Sequence, residues 1–274
     1  MANTSYYGQQ LITVDSVAPD TFFLRDCTRG GGVETYNVNN SFSFQYDQPI
    51  NFWDNVPKAT DAHWSTEMIY DFYWNRYGLN SFDGNGIKMV TLINFGPTFM
   101  GGSFFSGTFI AIGSGAGPFI ELVGHEYSHG VSAYTAGFHS YNETGAINES
   151  FCNLLGTAAE FWALPETASW IFANEGTVGY WLSDPNGSVS PVGTPYPDTY
   201  KGNYWLFGGD QNAIVHNNAS VQDYCFYLLS DGGTGTNDND DDYSVEPIGI
   251  EKATDIFYRA LTIYLTATSE FIDS

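Results

Sequence analysis

The segment His125-Glu126-Tyr127-Ser128-His129 sets two imidazoles four residues apart, with a carboxylate beside the first. On an α-helix, residues four apart lie one above the other on the same face. Two neutral imidazoles at that spacing can hold one Zn²⁺. Glu126 then faces the open side of the metal, where a carboxylate can take a proton from a bound water. Glu149, twenty residues past His129, offers a third ligand. Four protein ligands would make a closed, structural site, whereas three beside a poised carboxylate make a hydrolytic one. The five-residue motif alone arises by chance in about one per cent of chains of this length. Its surroundings therefore decide its weight.

For both histidines to share a face, the residues around them must be helical. Segments 119–124 and 130–134 contain no proline and suit a partly buried helix. Helices are expected over 118–136, 143–163, 217–230 and 248–267, and over 61–77, where Gly78 can stop the turn. Segments 10–14, 21–25, 33–37, 87–95 and 104–112 read as strands. Residues 176–213 are rich in Gly, Pro, Tyr and Trp and read as loops. The glycine-rich link 113–117 lacks the Lys-Ser/Thr ending of a phosphate loop. The Asn-Asp run 237–242 reads as a solvated turn, because the glycine and final glutamate of an EF-hand are not in place. His63 has no partner ligand at helical spacing and reads as a packed histidine. His216, just before Asn217 and Asn218, reads by itself as a satisfied histidine at a helix start. An α+β chain follows, with a β-rich part over 1–117 and a helical part over 118–274.

The chain carries 31 Asp and Glu against 8 Lys and Arg among 274 residues, a formal net charge of −23. That charge argues against nucleic acid or an anionic membrane as partner. It serves solubility, and some of its carboxylates are candidates for Ca²⁺. The sequence has no run of about 18 apolar residues, so no membrane-spanning helix is expected. Met1-Ala2-Asn3-Thr4 lacks the charged-then-apolar pattern of a secretory leader, so no signal peptide is expected at this start. Of three cysteines, Cys152 reads as a buried thiol, and whether Cys27 pairs with Cys225 is open.

Further segments keep a recognisable order and spacing: AYTAG at 133–137, NETGAINES at 142–150, GTAAEF at 156–161, SDP at 183–185, PDTYKGNYW at 197–205, VHNN at 215–218 and IFYRALTIYLT at 256–266. With HEYSH at 125–129, they resemble the thermolysin family of neutral zinc metallopeptidases, the gluzincins. The resemblance is close over 118–268 and looser before. It implies a two-lobed thermolysin-like fold with the active-site cleft between the lobes. It also implies a secreted, monomeric zinc endopeptidase acting on peptides or proteins, on the amino side of hydrophobic residues. Family members carry a signal and a propeptide, so the chain is expected to be a mature region behind an added start methionine. By motif position, His125, His129 and Glu149 bind zinc, and Glu126 is the general base for a zinc-bound water. His216 steadies the oxyanion. Asn148 and Asn153 support the ligands, and Asp210 stands near the aspartate that orients His216. Glu121 and Glu160 match acidic ligands of the family's main calcium site.

Several positions depart from the family pattern. Asn153 replaces the usual aspartate. Gly102-Ser103 align with the Asn-Ala of the strand that pairs with the peptide. The family's oxyanion tyrosine falls on Ser140, with Tyr141 adjacent, and its arginine before SDP falls on Tyr180. Leu122 joins Gly102, Ser103, Tyr141 and Tyr180 as substrate-side positions. Asp210 is one residue farther from His216 than usual. Ser169, Ile171 and Asn174 stand where further calcium carboxylates would be, which leaves one weakened site. Family catalytic regions continue with another helical segment, so the helical lobe is expected to lack it and to expose an apolar groove beside 248–267. Two other functions compete with the enzyme. One is a degenerate relative that binds zinc and peptide as an interaction module with little turnover. The other is a carbohydrate binder, which would need no metal.

Overall fold

Pro57 opens the first long helix, α1 (Pro57–Tyr77), and Gly78 ends it with φ 67. The fixed φ of proline suits a first helical turn, and a left-handed glycine satisfies the last carbonyls. The helix begins earlier than its apolar periodicity indicated, because that proline is a start signal. The computed structural model of the chain describes residues 1–42, 49–51, 56–98, 101–172 and 180–274. Asn174 lies outside them. The chain divides into two compact units, Met1–Gly130 and Val131–Ser274.

In the first unit, β1 (Ala2–Asn3) pairs with β2 (Gln9–Gln10), and β3 (Asp15–Ala18) with β4 (Thr21–Phe23). The strand expected over 10–14 therefore reduces to the short pairing at Gln9–Gln10. Strands β5 (Arg25–Asp26), β6 (Val33–Ser41), β7 (Met89–Phe95), β8 (Ser103–Phe105) and β9 (Ile110–Gly113) form a mixed sheet in the order β5-β6-β7-β9-β8. The central pairings β6–β7 and β7–β9 are parallel, and the outer ones are antiparallel. The run 104–112 splits in two because Ser106 turns the chain: its Oγ accepts from Phe109 N at 3.0 Å. One sheet face carries Tyr36, Val38, Leu92, Phe95 and Ala111, with Phe104 packed against them.

Helix α1 packs on β6 and β7, and it buries Ile69, Phe72 and Tyr73. His63 is fully buried there. Its Nδ1 meets Thr35 Oγ1 at 3.0 Å and its Nε2 meets the Thr13 carbonyl oxygen at 3.0 Å. Burial pushes the imidazole down from 6.5 to about 4. A histidine held neutral adds stability that is complete above 6.5 and is lost as pH falls toward 4. We expect His63→Gln to shrink the loss of unfolding free energy between pH 7 and pH 4 by about 2–3 kcal/mol. Urea titrations at the two pH values check this. Its neighbour Glu67, raised to about 7 by burial, acts in the opposite sense, costing stability as pH rises from the ordinary carboxylate range toward 7.

Helix α2 (Ile120–Tyr134) lies largely in the first unit. Tyr127 stacks on Tyr73 with ring centroids 5.2 Å apart, and Ser128 Oγ is 2.7 Å from Tyr73 OH. A Cβ on Gly130 would lie 2.7 Å from Phe82 Cγ, so this position needs glycine for α2 to seat.

The second unit is built on α3 (Asn142–Ala163), α4 (Gln211–Asn218), α5 (Ser220–Asp231) and α6 (Ile250–Arg259), the last continued by a π turn at Ala260–Tyr264. Helix α3 contacts α4, α5 and α6. Phe257 meets Phe151 at 5.7 Å and Phe226 at 5.3 Å between ring centroids. Short pairs complete the unit: β10 (Ile171–Phe172) with β11 (Tyr180–Trp181), and β12 (Gly233–Thr236) with β13 (Asp242–Val245). The Asn-Asp run forms the exposed turn of the second pair, where Asn237 Oδ1 accepts from Asn239 N and Asp241 N. On α6 and its π continuation, Ile256, Ile263 and Tyr264 are exposed. No helix among the described residues is long and apolar enough to cross a membrane.

Candidate metal centre

Helix α2 presents His125 and His129 from successive turns, as their spacing requires. Their Nε2 atoms stand 3.0 Å apart and their rings are nearly perpendicular, at 88°. Two imidazole nitrogens that share one tetrahedral zinc, each at about 2.0–2.1 Å, would stand about 3.3 Å apart. His125, His129 and Glu149 each offer a ligand atom, and these atoms all lie within 4.8 Å of one another. A two-histidine, one-carboxylate set of this kind suits zinc held with an open position. Glu126 follows the first histidine and is buried, with its Oε1 accepting from Ser103 Oγ at 2.6 Å.

Glu149 sits on α3. The last turn of α2 reaches that helix through Ser132, whose Oγ donates to Asn148 Oδ1 at 2.6 Å. Helix α4 comes close at Gly145, where a Cβ would lie 2.6 Å from Val215 Cγ1. This approach sets His216 Nε2 3.4 Å from Glu149 Oε2. His216 lies in the last turn of α4, not at a helix start, because Asp210 caps that helix from Gln211 onward and its Oδ1 accepts from Asn212 N at 3.2 Å. Its Nδ1 donates to the Asn212 carbonyl at 2.7 Å. A backbone carbonyl thus orients the ring at the point where Asp210 was expected to act. A proton on Nε2 makes this ring an imidazolium, the form that can donate to an oxyanion.

The sequence did not mark Asp223. This fully buried carboxylate on α5 accepts from Ser150 Oγ at 2.5 Å, from Asn153 Nδ2 at 2.9 Å and from Tyr180 OH. Asn153 Nδ2 also donates to Tyr180 OH at 3.0 Å. Both contacts fix the amide with its nitrogen toward Asp223. The one sequence signal was Asn153 itself: the carboxylate missing there reappears across the helix pair. We expect Asp223→Asn to cost about 2–4 kcal/mol of stability, since an amide cannot satisfy three donors. A urea midpoint within error of the native one would contradict that role.

The remaining expected residues spread more widely. Tyr180, expected among the substrate-side positions, is buried, and its ring stacks on Tyr196 with centroids 4.7 Å apart. Tyr141 is exposed, and its hydroxyl is 2.7 Å from His139 Nδ1. Gly102 has φ +79 and open space at its Cβ position. Leu122 is half-buried on α2, one turn before His125 and Glu126. Glu121 is buried in the first turn of α2, and Glu160 lies near the end of α3. Cys27 and Cys225 are free, exposed thiols, and Cys152 is buried.

Comparison with known proteins places this geometry in a family. Residues 1–133 match the thermolysin metallopeptidase catalytic domain, and residues 136–274 match the thermolysin metallopeptidase alpha-helical domain. The chain belongs to the thermolysin metallopeptidase family. It is 34% identical over 285 residues to a thermolysin of Bacillus sp. (strain EA1), which covers 98% of this chain and 48% of that protein. To neutral protease B of Bacillus subtilis (strain 168) it is 30% identical over 272 residues, 91% of this chain and 48% of that one. The chain thus spans about half the length of the curated relatives it matches. Among solved structures, the precursor of protealysin, a metalloproteinase from Serratia proteamaculans, matches with a TM-score of 0.70. At 22% identity over 87% of this chain and 77% of that one, it supports the fold: a sheet-bearing N-terminal domain and an α-helical C-terminal domain.

Proposed function

We propose that the protein is a secreted zinc-dependent endopeptidase that hydrolyses peptide bonds, with functional lobes at 1–117 and 118–274. The observation that carries this reading is the grouping of His125, His129 and Glu149 with Glu126 beside the first histidine. When bound, zinc lowers the pKa of a water and polarises the scissile carbonyl. Every other role falls to the chain. The two histidines and Glu149 hold the ion, and Glu126 takes the proton of the attacking water and passes it to the leaving amine. His216, fixed through Nδ1, donates from Nε2 to the developing oxyanion. The extended peptide pairs along the edge of the sheet, at Ser103 of β8 and at Gly102 just before it. Leu122 and Tyr141 bound its side chains. Glu121 and Glu160 would contribute to a single calcium site. The reading takes the protein to act as a monomer outside the cell.

Removal of the ion tests the proposal. A metal chelator is expected to stop cleavage of a quenched fluorescent peptide, and added zinc is expected to restore it. Cleavage that persists in the chelated protein would refute the zinc mechanism.

A further inference from the structure

Ser103 deserves a role of its own, because its hydroxyl donates to the carboxylate of Glu126 at 2.6 Å. At that length the bond belongs to the charge-assisted class of O–H to carboxylate contacts. Its geometry is set by the sheet. Ser103 pairs with Ile112 across the β8–β9 ladder, and alternation sends Ser103 and Phe105 to the face opposite Phe104. Phe105 packs edge-on against Phe82 at 5.2 Å, and Phe82 against Tyr127, the neighbour of Glu126, at 5.6 Å between centroids. The absent Cβ of Gly130 lets Phe82 fit there. Strand and helix are thus locked in a register that brings a serine hydroxyl to the carboxylate.

Resting on the reading of Glu126 as general base, we infer that Ser103 is a positioning residue for that base. Its hydroxyl holds one carboxylate oxygen, Oε1, and so fixes the orientation in which the carboxylate would meet the attacking water. The residue is also part of the edge strand on which the peptide would lie. Recognition through the strand backbone and base orientation through the hydroxyl therefore meet at one residue. Alanine, the usual family residue at this position, has no donor, so the device belongs to this chain.

The test compares Ser103→Ala, Ser103→Thr and Glu126→Gln in the zinc-loaded full chain, with kcat and KM measured separately. Ser103→Ala is expected to lower kcat about tenfold with KM within about twofold, since misorientation of a catalytic group costs turnover more than binding. Ser103→Thr keeps the hydroxyl and suits a strand, so it is expected to recover most of the rate. In the zinc-free protein, Ser103→Ala and Glu126→Gln are expected to shift the urea midpoint non-additively, as contacting groups do. An unchanged kcat in Ser103→Ala, an equal loss in Ser103→Thr, or additive midpoint shifts would overturn the inference. If Ser103→Ala behaves as native while Glu126→Gln abolishes cleavage, only the inference fails. Cleavage that survives Glu126→Gln removes the base assignment itself.

Discussion

Glu126→Gln is expected to lower kcat/KM for peptide cleavage by about 10³-fold while zinc content stays at the native level. Glutamine has nearly the same shape and still offers an oxygen to the Ser103 hydroxyl, which now reaches Glu126 at 2.6 Å. What it cannot do is accept and return a proton. The side chain is not among the three that group as ligands, so metal binding is expected to survive. The fold is expected to hold too, with only a small shift of the unfolding midpoint, because the substitution removes no packing and merely weakens the bond from Ser103. Parallel zinc analysis and steady-state kinetics separate these effects. A variant with native kcat/KM would mean that another group takes the proton, and a variant that loses zinc would mean that Glu126 supports the site in some other way.

His129→Ala is expected to have an effect as large by a different route. It leaves His125 and Glu149 as the remaining members of the group, and two ligands hold zinc far less well than three. Loss of a supporting partner alone typically costs 10–100-fold in metal affinity, so loss of a ligand is expected to cost about 100-fold or more. Cleavage at micromolar zinc is then expected to vanish. Stability follows by linkage. At zinc 100 times above its dissociation constant, the native protein gains about 2.7 kcal/mol over its zinc-free form. The variant is expected to gain little at that same zinc level. Calorimetric melting of both proteins, with and without zinc, reads the difference. A native-sized zinc-induced rise in the variant would exclude His129 as a ligand.

Much of this site was legible in the sequence because its logic is local. The spacing of His125 and His129 depends only on helical geometry, and α2 supplies it. Gly78 ended α1 where a left-handed glycine should. Features that depend on distant partners were not legible. The single run 104–112 gave no sign that Ser106 would fold back on Phe109 and divide it into β8 and β9. The helix read over 217–230 is α5, and α4 before it, begun by the Asp210 cap rather than by apolar periodicity, moves the helix start back to Gln211. That shift moves His216 from a helix start to a last turn and hands its Nδ1 to a backbone carbonyl. Asp223 was invisible because its meaning lies in three donors, two on α3 and one on β11. Ser103 could be aligned, but its bond to Glu126 depends on sheet register and on the seating of Phe82, which no local pattern encodes. Tyr180 could be aligned with a substrate-side position, but its bond to the buried Asp223 depends on a partner on another element.

The central claim is that this chain cuts peptides with zinc and Glu126. Digestion of a diverse peptide mixture, read by mass spectrometry, tests it most directly. The native protein, a chelated sample, a zinc-restored sample and Glu126→Gln would be run side by side. The account predicts defined cut sites in the native and zinc-restored samples, and intact peptides in the other two. A folded, zinc-loaded protein that leaves every peptide intact, or one that cuts equally well when chelated, would contradict it.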